Sequence, residues 1–183
     1  MRGLAKTELK LYFTAIKDYN KAIEIDPKCA EAYLRRGDVN GLFKQYHAAI
    51  KDYDKAIELD PKYAYAYVRR GDAKVELGHG KGMVRYQVRE GLSVDEIESK
   101  RFLAAIKDYD KAIELDPKNV NAYLDRAEAK VALDQYSAAI KDFDKAIELE
   151  PKNVSAYYRR GDAKVELHQY SAANEDYDKA FET

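Results

Sequence analysis

Between Val120 and Asn153 the apolar residues recur at helical spacing, and they do so twice. Ala122, Tyr123, Ala127, Val131 and Leu133 fall roughly on one face with Arg126. After the polar pair Asp134-Gln135, a second face is made by Tyr136, Ala139, Ile140, Phe143, Ala146, Ile147 and Leu149. Helix formers dominate both stretches, and Pro151 must end the second. The pattern predicts an antiparallel pair of helices, A then B. One such pair is too small to bury both its faces, so the pairs must stack into a solenoid.

The pair is repeated along the chain. AAIKDYDKAIELDPK stands unchanged at Ala48–Lys62 and Ala104–Lys118, with close copies at Thr14–Lys28, Ala138–Lys152 and Ala172–Thr183. Pro27 and Pro61 are 34 residues apart, as are Pro117 and Pro151, whereas Pro61 and Pro117 are 56 apart. The period is therefore 34 residues with one insertion of 22. A single solenoid results: a partial first repeat at 1–29, a second at 30–63, a third at 64–119 with the insertion near 80–101, a fourth at 120–153 and a fifth at 154–183 that lacks its end.

Small residues mark where helix A approaches helix B: Gly37, Gly71, Ala127 and Gly161 at position 8 of each full repeat, alanines at positions 20 and 27. Aromatics at positions 4 and 24 fill the space between units, with Tyr53, Tyr109, Phe143 and Tyr177 at 24. Together with Pro at 32, these residues resemble the tetratricopeptide repeat, with Tyr at position 4 in place of Trp. The resemblance covers everything but the insertion. It implies an all-α, right-handed superhelical solenoid and a non-catalytic module that binds other proteins.

Two positions depart from the family pattern. Position 7 is arginine (Arg2, Arg36, Arg70, Arg126, Arg160) where the family usually has Leu, and position 23 is aspartate in every copy (Asp18, Asp52, Asp108, Asp142, Asp176). A forked guanidinium–carboxylate bridge from helix A to helix B is expected inside each repeat. Position 11, usually Tyr, is Lys6, Asn40, Lys74, Lys130 and Lys164, a loss of aromatic bulk that predicts looser packing there.

In register, Met1 falls at position 6 and Thr183 at position 30, so the array is expected to be a fragment of a longer one or to self-associate through uncapped ends, with the fragment favoured. Within the insertion, Gly78–Gly82 reads as a hinge, Met83–Val88 as a short strand and Glu90-Gly91 as a turn. Ser93 and Glu96 form a capping box for a helix merging into helix B. GHGKG lacks the spacer and the Ser or Thr of a phosphate loop.

Composition narrows the chemistry. Thirty-two basic residues against 33 acidic ones give no global field for nucleic acid or anionic lipid, so neither is an expected partner. No apolar run approaches a membrane span, and the start makes a poor signal peptide, which leaves the cytoplasm as the default compartment. Cys29 is the one cysteine and reads as an incidental thiol. His47, His79 and His168 belong to different repeats at A–B turns, too far apart to share a metal, and no nucleophile–base set can be assembled. Neither an enzyme nor a cofactor is expected.

In the family the concave surface is lined by helix A, and here that places Glu31, Leu34, Arg35 and Asp38, then Tyr65, Arg69, Asp72 and Glu76, then Asn121, Asp125 and Glu128, then Tyr158, Arg159 and Asp162 in the groove. Arginine at position 6 and an acid at 9 can pair along the helix, so the face is either self-neutralising or a mixed-charge groove for a peptide of an unidentified protein partner. Family members that hold acidic chaperone tails use Lys and Asn at positions 5 and 9, which this chain lacks. The alternative is a structural or self-associating array, natural or engineered, which near-identical copies such as RRGDAKVEL at Arg69–Leu77 and Arg159–Leu167 would suit.

Overall fold

The computed structural model describes residues 2–77 and 93–182, with side chains from Lys10 onward. The hinge, strand and turn expected between Gly78 and Gly91, and His79 with them, lie outside the described residues. The described residues form nine helices and no strand: α1 (Arg2–Ile25), α2 (Ala30–Leu42), α3 (Tyr46–Leu59), α4 (Ala64–Leu77), α5 (Val94–Leu115), α6 (Val120–Val131), α7 (Tyr136–Leu149), α8 (Val154–Glu166) and α9 (Tyr170–Glu182). Helices α2, α4, α6 and α8 are of type A, and each packs on the B helix that follows it. Each B helix then packs on the next A helix, so the pairs stack in sequence as a superhelix.

The punctuation follows from the sequence. α3, α5 and α7 stop two residues before Pro61, Pro117 and Pro151, because the residue before proline is held out of the α region. Asp60 sits there in extended conformation, and Asp116 has φ −135° and ψ 88°. Their carboxylates accept from the backbone N–H of Lys62 and Lys118 at 3.0 and 3.1 Å, closing a turn. At the A–B turns a single residue goes left-handed: Lys44, Asp134 and His168, with φ of 59°, 56° and 59°. His47 lies inside α3 rather than in a turn, contrary to the sequence expectation.

Two B helices are longer than the others: α1 corrects the reading of the first repeat, and α5 is the helix expected to merge out of the insertion into helix B. α1 runs unbroken from Arg2 to Ile25, so the first repeat contains no A–B turn. Arg2 and Asp18 therefore stand on one helix, about 24 Å apart along its axis, rather than on two packed helices. α5 begins at Val94, so residues 94–101 of the insertion are two turns of helix B. Ser93 caps it: the hydroxyl accepts from the Glu96 N–H at 3.1 Å, and the Glu96 carboxylate accepts from the Ser93 N–H at 2.8 Å.

The core is made of small residues and rings. Ala49, Ala105, Ala139, Tyr53, Tyr109 and Phe143 are buried on the A-facing side of the B helices. A Cβ on Gly37, Gly71 or Gly161 would lie 2.6 Å from the ring of Tyr53, Tyr109 or Tyr177. Those rings are fixed from the far end, since their hydroxyls donate to Asp38, Asp72 and Asp162 at 3.0, 3.0 and 2.9 Å. The fourth repeat changes all three residues together, pairing Ala127 with Glu128 and the hydroxyl-free Phe143. Gly71→Ala is therefore expected to destabilise, since overpacking costs ~1–3 kcal/mol against about 1 kcal/mol of helix propensity gained. Tyr109→Phe in the same chain should recover part of that loss in thermal unfolding, because the ring is then released from Asp72.

The caps differ between repeats too. Asn119 and Asn153 accept from the N–H of Ala122 and Ala156 at 3.1 and 2.9 Å, whereas Cys29 at the start of α2 makes no side-chain cap. Cys29→Asn should raise stability by about 1 kcal/mol, read as a higher urea midpoint at constant slope.

Candidate functional site: the face of the A helices

Beneath the A-helix face lies a repeated ionic joint. Arg70 donates to Asp108 through Nε and Nη2 at 3.0 and 2.6 Å. Arg126 does the same to Asp142 at 2.9 and 2.6 Å, and Arg36 and Arg160 engage Asp52 and Asp176. Each aspartate is buried. Each guanidinium also reaches the preceding repeat, where Asn20, Asp54, Asp110 and Asp144 accept from Nη1 at 2.6–2.7 Å. It also lies over the Tyr three residues before it, 5.4–5.6 Å from the ring centre. One arginine thus ties its own B helix to the previous one, a second role that sequence reasoning missed. The signal was a polar residue at position 25 in the first four copies.

Position 11 is a correction. Instead of loosening the joint, Lys74, Lys130 and Lys164 place Nζ 2.7 Å from Asp108, Asp142 and Asp176. Asn40 donates to Asp52 at 3.0 Å in their place. The lost aromatic is replaced by a second donor to a buried carboxylate, which needs more than one partner to offset its desolvation.

The sequence-predicted groove residues divide. Leu34 is wholly buried and belongs to the core, a correction explained by its packing against the next repeat; Val68 is buried in the same way. Glu31, Arg35, Tyr65, Glu76, Asn121, Glu128, Tyr158 and Arg159 are exposed. Arg35 pairs with Glu31 at 2.6 Å, and Glu31 also accepts from the Tyr63 hydroxyl, which holds its carboxyl below the ordinary range. Arg69 lies between Asp38 and Asp72, 3.0 Å from each, and Arg159 approaches Glu128 at 3.4 Å.

Two cavities follow one another along this face. The first, of about 160 Å³, is lined by Leu42, Tyr46, Tyr53, Arg69 and Glu76 among others. The second, of about 220 Å³, lies between α4 and α6 over Val75, Tyr109 and Ala129, with Asp72, Glu76, Asp125 and Glu128 around it. Asp125 makes no hydrogen bond or ion pair with any described residue. Burial first, then the charges of Asp72 and Glu128, push its carboxyl up to about 7, against the pull of Arg69. Burial likewise raises Asp72. The second cavity is thus short of positive charge. Among the described residues no group of His, Cys, Asp and Glu could hold a metal ion, and no helix is long and apolar enough to cross a membrane.

A family model described as TPR repeat matches residues 3–42, 44–78, 96–134 and 127–168. The chain belongs to the TPR repeat family. A TPR domain is typically a protein–protein interaction module, and its partners are proteins or peptides. A crystal structure of MamA matches this TPR chain with a TM-score of 0.75 and 24% identity, covering 93% of it and 87% of MamA. The TPR domain of Arabidopsis OM64 matches at 30% identity and a TM-score of 0.60, covering 74% and 93%. The first TPR of Spaghetti (RPAP3), bound to the HSP90 peptide SRMEEVD, matches at 24% identity and a TM-score of 0.61, covering 76% and 93%. No curated protein sequence matches the chain.

Proposed function

We propose that the face of the A helices binds an extended or helical segment of a partner protein, and that this segment presents a basic side chain to the cavity between α4 and α6. The observation that carries the reading is Asp125, which pairs with no described residue, in a cavity shared with Asp72, Glu76 and Glu128 over an apolar floor. A Lys or Arg side chain brings a long apolar stem for Tyr109 and Val75 and a cation for the carboxylates. Elsewhere on the face Arg35, Arg69 and Arg159 already have acidic neighbours, so they offer an acidic peptide little that is free. The acidic peptide held by the RPAP3 domain is therefore a poor guide to this chain's ligand.

The test is selection of a random displayed peptide library on the intact chain and on its Glu76→Lys/Glu128→Lys variant, both sites being exposed. Enrichment of sequences with Lys or Arg, lost on the variant, is expected. Acidic consensus sequences, or equal retention by both chains, would sink the reading.

A further inference from the structure

The B helices α3, α5, α7 and α9 turn positions 20, 23 and 24 toward their own A helix, where the residues at 20 and 23 are buried. On α1 those positions are Ala15, Asp18 and Tyr19, and Leu11 and Ala22 extend the same stripe by one turn at either end. α1 packs only on α2, the A helix of the next repeat, and no A helix of its own covers the stripe among the described residues. Asp18 is exposed and makes no hydrogen bond or ion pair with any described residue, whereas Asp52, Asp108, Asp142 and Asp176 are all buried under an arginine. Leu11 is 65% exposed, where three other repeats place a glutamine.

What fits such a stripe is written into the rest of the molecule. In the second, third and fifth repeats it is covered by a helix reading Arg-Gly-Asp. The arginine forks onto the aspartate, the glycine lets the tyrosine ring approach, and the acid accepts from the tyrosine hydroxyl. Two residues further on, Lys74 or Lys164 brings a second cation to the aspartate in the third and fifth repeats. We infer that this face of α1, exposed at Leu11 and Asp18 and half-buried at Ala15, Tyr19 and Ala22, docks an amphipathic helix of another protein that carries Arg-(Gly/Ala)-Asp-x-Lys facing Asp18 and Tyr19. A second copy of this chain is the poorer occupant, because each of its A helices already holds its own B helix.

The probe is an acetylated, amidated and fluorescently labelled peptide with the sequence of Val154–Leu167, titrated into the intact chain by anisotropy. Asp18→Asn should weaken binding ~10- to 100-fold, the loss of a charge-assisted fork. The peptide carrying Arg160→Ala should weaken it similarly with the chain untouched. Glu76→Lys/Glu128→Lys should leave it unchanged, which separates this surface from the groove. Asp18 pairs with no described residue, so unchanged helicity is expected of Asp18→Asn. The proposal is overturned by equal affinity for Asp18→Asn, by loss only in the groove variant, or by no binding at millimolar peptide. Asp18-dependent self-association of the chain would also overturn it, since a second copy would then fill the stripe.

Discussion

Replacing Arg126 and Lys130 together by methionine should destabilise the fold by about 3–5 kcal/mol, the cost of leaving a buried carboxylate uncompensated. Asp142 is buried between the two cations, and all three side chains are mostly shielded from solvent. Arg126→Met alone should cost less, about 2 kcal/mol, because Lys130 still stands 2.7 Å from the carboxylate. Its bond to Asp110 adds little, as that carboxylate is half exposed. Adding Asp142→Asn to the double variant should restore most of the loss, since no charge is then stranded. Urea midpoints at constant slope read this cycle. A double variant no worse than the single one would show that the joint is held by packing alone.

Acid acts on the same joint. In α9, burial pushes the Asp176 carboxyl up, but the hydrogen bonds from Arg160 and Lys164 outweigh it and hold it below 3.8. A depressed carboxyl contributes stability above its unfolded value and loses it as pH falls through the folded one. Asp176→Asn should therefore flatten the stability curve below about pH 4.

The repeat frame was open to reading because period, proline and small residues all report packing that each unit makes with the next. The pairing of Arg at 7 with Asp at 23 was open too, since both recur in every copy and neither fits an apolar interface. Lys at 11 was misread because its family counterpart is aromatic; only the helix geometry shows that a residue four after the arginine meets the same carboxylate. Leu34 was misplaced for a related reason. Position 5 borders both the groove and the next repeat, and its burial depends on how closely the pairs stack. The unbroken α1 was hidden because repeat register assigns residues 1–8 to the end of a helix A, which the helix instead runs through into helix B.

Asp125→Asn should stabilise the chain at pH 8 and leave it nearly unchanged at pH 4. The raised carboxyl, at about 7, is protonated in the folded state where an unfolded aspartate is already ionised. Such a group contributes stability that is fully present below its unfolded value near 3.9 and is lost as pH rises through its folded value. The difference at pH 8 is on the order of 2–4 kcal/mol. The groups that face it are Asp72, Glu76 and Glu128, with Arg69 opposing them. A basic side chain entering the cavity would reverse that balance and drive the proton off. Binding of a Lys- or Arg-bearing peptide should then tighten between pH 6 and pH 8 and release a proton, measurable as a buffer-dependent heat. In Asp125→Asn both the pH dependence and the proton release should vanish. A peptide whose affinity is flat across this range in the wild-type chain does not place its cation beside Asp125.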